Sequence, residues 1–171
     1  MMTRLWIPTL LGLLAGGLQA SGPGQETRQP AGFHLELSMT TLSGAAAIEV
    51  RIRNDGAKPA LVNKRFAYAG TGNPVAELTF EGQPPSSTGC RFNVRYADST
   101  DYTLVGAGQF VGRTFRATVA SCFVGAADTV KLRARYLDHS QRGRKGPVLG
   151  TALVSNEITI PREALQEAGQ N

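Results

Sequence analysis

Apolar and polar positions alternate with period two along most of this chain. In FHLELSM, Phe33, Leu35, Leu37 and Met39 fall on one face and His34, Glu36 and Ser38 on the other. AAIEVRIRN places Ile48, Val50 and Ile52 opposite Glu49, Arg51 and Arg53. CRFNVRY sets Phe92, Val94 and Tyr96 against Arg91, Asn93 and Arg95, and RTFRATV sets Phe115, Ala117 and Val119 against Arg116 and Thr118. TVKLRARY repeats the pattern with Val130, Leu132, Ala134 and Tyr136 against Lys131, Arg133 and Arg135. AELTF (Ala76, Leu78, Phe80) and SNEITI (Ile158 and Ile160 alternating with Glu157 and Thr159) are shorter, and ALVNKRFAY is less cleanly patterned. Successive side chains of an extended chain point to opposite sides, so each segment predicts a strand with one buried face. No interior segment carries a sustained 3.6-residue period. The tail PREALQEAG alone reads as helical, with Pro161 placed to open a short helix.

Turn chemistry separates the segments. NDGAKP, Asn54 to Pro59, combines residues that tolerate positive φ with a proline that stops further pairing; GTGNP, GQPPSSTG and QRGRKGP punctuate the rest. About seven to eight short strands, each with one apolar face, predict an all-β fold. The expected form is an immunoglobulin-like sandwich of two antiparallel sheets with a short C-terminal helical tail; a closed barrel is the alternative. The expected boundaries are a signal peptide over 1–20, a flexible lead over 21–31, the β-domain over 32–161 and a tail over 162–171.

Two stretches carry a resemblance. IEVRIRNDGAKPALV resembles the strand, Asn-x-Gly turn and strand unit of bacterial exported immunoglobulin-like, fibronectin-III-like domains, and TVKLRARY with LVSNEITI resembles their last two strands. The resemblance implies an architecture and no particular ligand.

The first residues bear on compartment. Arg4 precedes the apolar run LWIPTLLGLLAGGL, which holds Pro8, Gly12, Gly16 and Gly17 and leads to the small residue Ala20. The run falls short of the roughly 20 residues that span a bilayer, so it predicts a cleaved secretory signal rather than an anchor. No later stretch is long and apolar enough to span a membrane, so no transmembrane span is expected after cleavage. The expected location is periplasmic or secreted. Cys90 and Cys122, the chain's two cysteines, would then meet an oxidising compartment and are expected to form a disulfide. Closing that loop would contribute roughly 3–4 kcal/mol in the chain-entropy account. If the Phe92 and Ala117 segments form a hairpin, the cysteines sit side by side. Cys122 is out of phase with Val119 and Phe123, so a bulge or strand end is expected near Ala120 to Cys122.

Candidate chemistry is sparse. The two histidines, His34 and His139, lie on a predicted polar strand face and in the last hairpin loop. A zinc or copper site wants three or four ligands. His34 and Met39, the pair a copper carrier would use, fall on opposite strand faces. No G-x-S-x-G elbow is present, and Ser43 and Ser121 read as turn or strand-end residues. Glu36, Glu49, Glu77 and Glu81 read as polar halves of alternating strands rather than as a carboxylate pair. GAGQFVG, Gly106 to Gly112, lacks the Lys-Ser/Thr of a phosphate loop and reads as the approach to the strand at Thr114. No enzymatic role, cofactor or metal is expected.

The charge is uneven. Thr129 to Pro147 holds Lys131, Arg133, Arg135, Arg142, Arg144 and Lys145 against the single acid Asp138, which equals the whole chain's formal net charge of +5. Lys131, Arg133 and Arg135 share the outward face of one strand, and Arg51, Arg53, Arg91, Arg95 and Arg116 are expected outward on others. The strand arginines should divide over both outer faces, diluted by Glu49 and Glu157, and act as solvated, edge-blunting residues. Arg142, Arg144 and Lys145, with His139, form the tip of the last hairpin and are the candidate site for an anionic or protein partner. The expected function is a non-catalytic, monomeric binding or accessory module of the envelope. It would recognise a protein or an anionic polysaccharide surface through loops at the sandwich ends. The alternatives are a secreted hydrolase inhibitor using loops Gly82–Gly89 and Asp138–Pro147, or a periplasmic metal carrier. Nucleic acid is not expected, since aromatic interleaving is missing.

Overall fold

The computed structural model describes residues 32–69, 75–87, 93–139 and 146–166. Within them the chain is all-β, with several antiparallel sheets. The strands are β1 (Phe33–Leu42), β2 (Ala45–Asn54), β3 (Ala60–Asn63), β4 (Leu78–Gln83), β5 (Tyr102–Val105), β6 (Phe110–Arg116), β7 (Thr129–Tyr136), β8 (Leu153–Val154) and β9 (Ile158–Pro161). One sheet runs β1-β2-β6; a second pairs β3 with β5; a third runs β4-β7-β8, with β9 also on β7. Residues 1–31, where a signal peptide and a lead are expected, and 167–171 of the expected tail lie outside the described residues. No helix among the described residues is long and apolar enough to cross a membrane.

The period-two faces supply the core. β7 alternates exposed and buried without a break, and Val130, Leu132, Ala134 and Tyr136 are fully buried. Ile48, Val50 and Ile52 of β2 are equally buried and join Leu35, Leu37, Phe80, Phe115 and Ile160 in one cluster that all the larger strands feed. Burying a side chain of this size stabilises by about 1.5–3 kcal/mol, so a register slip of one residue would forfeit several such terms at once. The β1–β2 hairpin closes on Ser43 and Gly44, at φ 53° and 79°. Two successive positive φ values make a two-residue turn whose twist matches that of the strands. The predicted Asn54–Pro59 turn is present too. Asn54 is buried, accepts from the Gly56 amide at 2.9 Å and donates to the Lys58 and Val105 carbonyls at 2.9 and 3.1 Å.

Several expectations change. CRFNVRY forms no strand over its described part: Asn93 to Tyr96 have no ladder partner, and Tyr96 is 73% exposed. The expected hairpin between that segment and the Phe115 strand is therefore replaced by pairing of β6 with β2, Phe115 opposite Ile48. YTLV forms β5 although its alternation is too short to read. β6 starts at Phe110, inside the glycine-rich stretch expected to be a loop, and ends at Arg116. A 3₁₀ helix over Ala117–Cys122 follows, so the strand stops at Arg116, short of the end expected near Ala120 to Cys122, and Ala117 and Val119 lie in the helix rather than on a strand face. The tail helix is a single 3₁₀ turn over Arg162–Leu165, with Pro161 as the residue before its first turn.

Candidate functional site

The strongest concentration of polar groups lies where β7 finishes. It is built from the ends of β3, β4, β5 and β7. Tyr136 ends β7 in the buried phase, and its hydroxyl accepts from the Asn63 amide at 3.0 Å. Asn63 ends β3 and is fully buried; its side chain donates to Glu77 Oε1 at 3.0 Å. Glu77 precedes β4, and its side chain is only 1% exposed. Its carboxylate takes the Arg65 guanidinium on both oxygens and the Ala67 amide at 2.9 Å. Arg65 also donates to the carbonyls of Val75 and Arg95. Between Arg65 and Ala67 stands Phe66, fully buried, at a left-handed φ of 46°, with its ring 5.8 Å from that of Tyr136. Such backbone costs of order 1–3 kcal/mol and persists where surrounding contacts over-determine it.

Two further acids flank this network. Asp101 takes both terminal nitrogens of Arg95, at 2.8 and 2.7 Å, and the Asp98 amide at 2.8 Å. Asp98 in turn caps the 3₁₀ turn Ser99–Asp101 by accepting from Thr100. Asp138, buried two residues beyond Tyr136, accepts from the Tyr102 hydroxyl.

The protonation states follow. Burial raises the Glu77 carboxyl above its ordinary value, against the pull of Arg65. Burial opposes ionisation of Asp101 as well, but the Arg95 hydrogen bond and the Asp98 amide outweigh it, and the carboxyl sits below its ordinary value. The Tyr136 hydroxyl is pushed well up, first by burial and then by the charge of Asp138. It is neutral near physiological pH and can both accept and donate.

The expected site residues meet this end only in part. His139 is exposed, next to buried Asp138. Arg142, Arg144 and Lys145 lie outside the described residues. The feet of their loop are held on strands. Asp138 is bonded to Tyr102 at the start of β5. On the return side, Leu61 of β3 donates to the Pro147 carbonyl at 2.8 Å and accepts from the Leu149 amide at 2.9 Å. The two loops proposed for an inhibitor do not share an end. Leu78 pairs with Tyr136 and Gln83 with Lys131, so the loop after β4 and the loop after β7 leave opposite ends of the same strand pair.

The strand arginines divide between sheets as expected. Arg51 and Arg53 are on β2, and Lys131, Arg133 and Arg135 on β7. Glu157 lies 3.1 Å from Lys131 and 3.7 Å from Arg133. Glu49 lies 2.9 Å from Arg51, and Asp55 2.9 Å from Arg53. Arg91 lies outside the described residues. Arg95 is a loop residue bound to Asp101, not an outward strand residue. Glu77 is likewise buried rather than the polar half of a strand. His34, 3.6 Å from Asp55, lines an open groove of about 730 Å³ with Glu36, Arg51, Arg53 and Asn156. Among the described residues no group of three or more His, Cys, Asp or Glu is arranged to hold a metal. No described cysteine is a free thiol; Cys90, the expected partner of Cys122, lies outside the described residues.

Sequence reasoning missed the buried network. One signal was available: Asp98 followed three residues later by Asp101 has the reciprocal pattern of a capped turn. The partnering of Arg65 with Glu77 has no local signature, because it joins two connections through the tertiary fold. No protein-family model matches the chain, and no curated protein is similar to it in sequence.

Proposed function

We propose that this chain is an exported, non-catalytic binding module with an immunoglobulin-like sandwich fold, acting through the loop that bears His139, Arg142, Arg144 and Lys145. The observation that carries this reading is the anchoring of the loop's two feet, Asp138 through Tyr102 and Pro147 through Leu61. A recognition loop on fixed feet loses less freedom on binding than one on a mobile base. Charge supports the same reading. Glu157 stands beside Lys131 and Arg133 on the strand, while the loop brings three cations, Arg142, Arg144 and Lys145, within four residues. The ligand class is an anionic surface, an acidic polysaccharide or an acidic face of a protein. A Cys90–Cys122 disulfide belongs to the proposal, as expected for an oxidising compartment.

The test is retention on heparin and on vesicles containing anionic lipid. Reversing Arg142, Arg144 and Lys145 to glutamate is expected to abolish retention of the purified protein. Unchanged retention would remove the loop from the reading. Intact mass with and without reductant should differ by the two hydrogens of one disulfide.

A further inference from the structure

β6 carries an arginine in the phase of its core-facing residues. Arg113 stands between Val111 and Phe115 in that phase and opposite buried Val50 in the β2–β6 register. Its guanidinium lies 5.2 Å from the centroid of the Phe115 ring and donates to the Arg65 carbonyl at 2.6 Å. No described carboxylate is within ion-pairing distance of it. Arg113 lines a cavity of about 240 Å³ with Arg65, Arg95, Asn93, Tyr68 and Ala67. No acid among the described residues lines this cavity. Two of its three guanidiniums are neutralised from behind, Arg65 by Glu77 and Arg95 by Asp98 and Asp101. Arg113 is the one of the three with no described carboxylate beside it, although the three guanidiniums and the carboxylates of Glu77, Asp98 and Asp101 balance in number.

We propose that this cavity binds a small organic monoanion through its carboxylate, with Arg113 as the charged partner. Arg113 is exposed and is the one guanidinium here with no described carboxylate beside it, so one carboxylate pairs it directly, and the second charge of a dianion such as phosphate would meet no further free guanidinium. Arg113 has five N–H donors and spends one on the Arg65 carbonyl. The remaining fork matches the two oxygens of a carboxylate. Asn93 offers an amide on the same wall, and the ring of Tyr68 with Ala67 gives the body of the ligand an apolar seat. The volume is below the roughly 300–1,000 Å³ usual for drug-sized ligands, so the fitting class is a sugar acid or a simple aromatic acid. The site is separate from the Arg142–Lys145 loop and does not depend on that loop's role.

Isothermal titration of the purified protein with benzoate, glucuronate and inorganic phosphate tests the assignment. Saturable one-site binding of benzoate or glucuronate is expected, with phosphate at least tenfold weaker. Arg113→Gln should weaken the acid at least tenfold, and Asn93→Ala less. Reversal of Arg142, Arg144 and Lys145 should leave this binding unchanged. If Arg113→Gln does not fold, Arg113→Lys is read in its place, since it keeps the charge and loses the fork; weakened binding supports the site. Failure of both acids to saturate, phosphate binding as tightly as they do, or unaltered affinity in the folded Arg113 variant would overturn it.

Discussion

Asn156 closes the open edge of β1 by pairing with one residue, Leu37. Its side-chain amide accepts from the Leu37 N–H at 2.8 Å and donates to the Leu37 carbonyl at 2.9 Å. A side chain here does what a neighbouring strand would do. β1 has β2 on one side only, and its outward backbone groups need partners or water. Ser155, just before it in the chain, bridges Leu35 and donates its amide to the Ala134 carbonyl, so this short segment joins β1 to β7 of the neighbouring sheet.

Asn156→Ala should therefore cost about 1–3 kcal/mol, since both Leu37 groups lose a partner at a half-buried place. Asn156→Asp keeps the acceptor and turns the donor into a repulsive oxygen, so it should not rescue. Urea midpoints measure both. Hydrogen exchange should quicken at the Leu37 amide first; an unchanged Leu37 rate would show that the clamp does not protect the edge.

Tyr136→Phe should cost about 1–3 kcal/mol by leaving the buried Asn63 amide without an acceptor. The ring contact with Phe66 is retained in the variant, so a loss of this size reports the hydroxyl. A change below about 0.5 kcal/mol would mean that water or a shifted carbonyl replaces it.

Glu77→Gln should be more costly, about 3 kcal/mol, because it leaves Arg65 charged, mostly buried and unpaired. Chemical denaturation of Arg65→Met paired with Glu77→Leu should show a smaller loss than the sum of the single changes, as expected for one coupled unit.

The two acids make opposite contributions to the pH profile. Asp101 titrates below its ordinary 3.8 in the folded chain. Its contribution is present above that value and is lost as pH falls through the lower folded one. Glu77 titrates above its ordinary 4.5; its contribution is complete below that value and is lost as pH rises through the folded one. Urea midpoints of the wild type and Asp101→Asn, from about pH 3 to about pH 7, should converge at the acid end as Asp101 becomes protonated. A constant gap would count against the Asp101–Arg95 pair as a source of stability.

Gly82→Ala should destabilise by about 1–3 kcal/mol or more. A Cβ there would stand 2.3 Å from Val124 Cγ1 and 2.4 Å from the Phe123 carbonyl oxygen. The second neighbour is backbone and cannot turn aside. Thermal unfolding checks it, and a variant of unaltered Tm would mean that the Phe123–Val124 segment moves freely.

The strands that could be read were those whose alternation ran long enough to have one answer. β7 holds four apolar and three cationic residues in strict phase, and both its faces came out as expected. CRFNVRY has the same alternation and forms no strand over Asn93–Tyr96. Arg95 gains a bidentate carboxylate in Asp101, and a capped 3₁₀ turn follows at once; together these replace the ladder bonds a strand would have made. β5 failed in the other direction, since four residues beside a 3₁₀ turn carry too little pattern. Arg113 was not singled out in the sequence, because its meaning depends on which carboxylates come near it.

Alternation of apolar residues by itself determined which faces of β2, β4, β7 and β9 are buried, and that of β1 as far as Leu37, beyond which Met39 is exposed, because period two leaves one choice along a strand. The residues around Asn54 likewise set their own turn. Only the tertiary structure decided that β6 lies on β2, that Asn156 covers β1, and that Glu77 meets Arg65 rather than water. Those outcomes are contacts between segments far apart in the chain. Each compensates a cost, an open edge or a buried charge, that exists only once the sheets have come together.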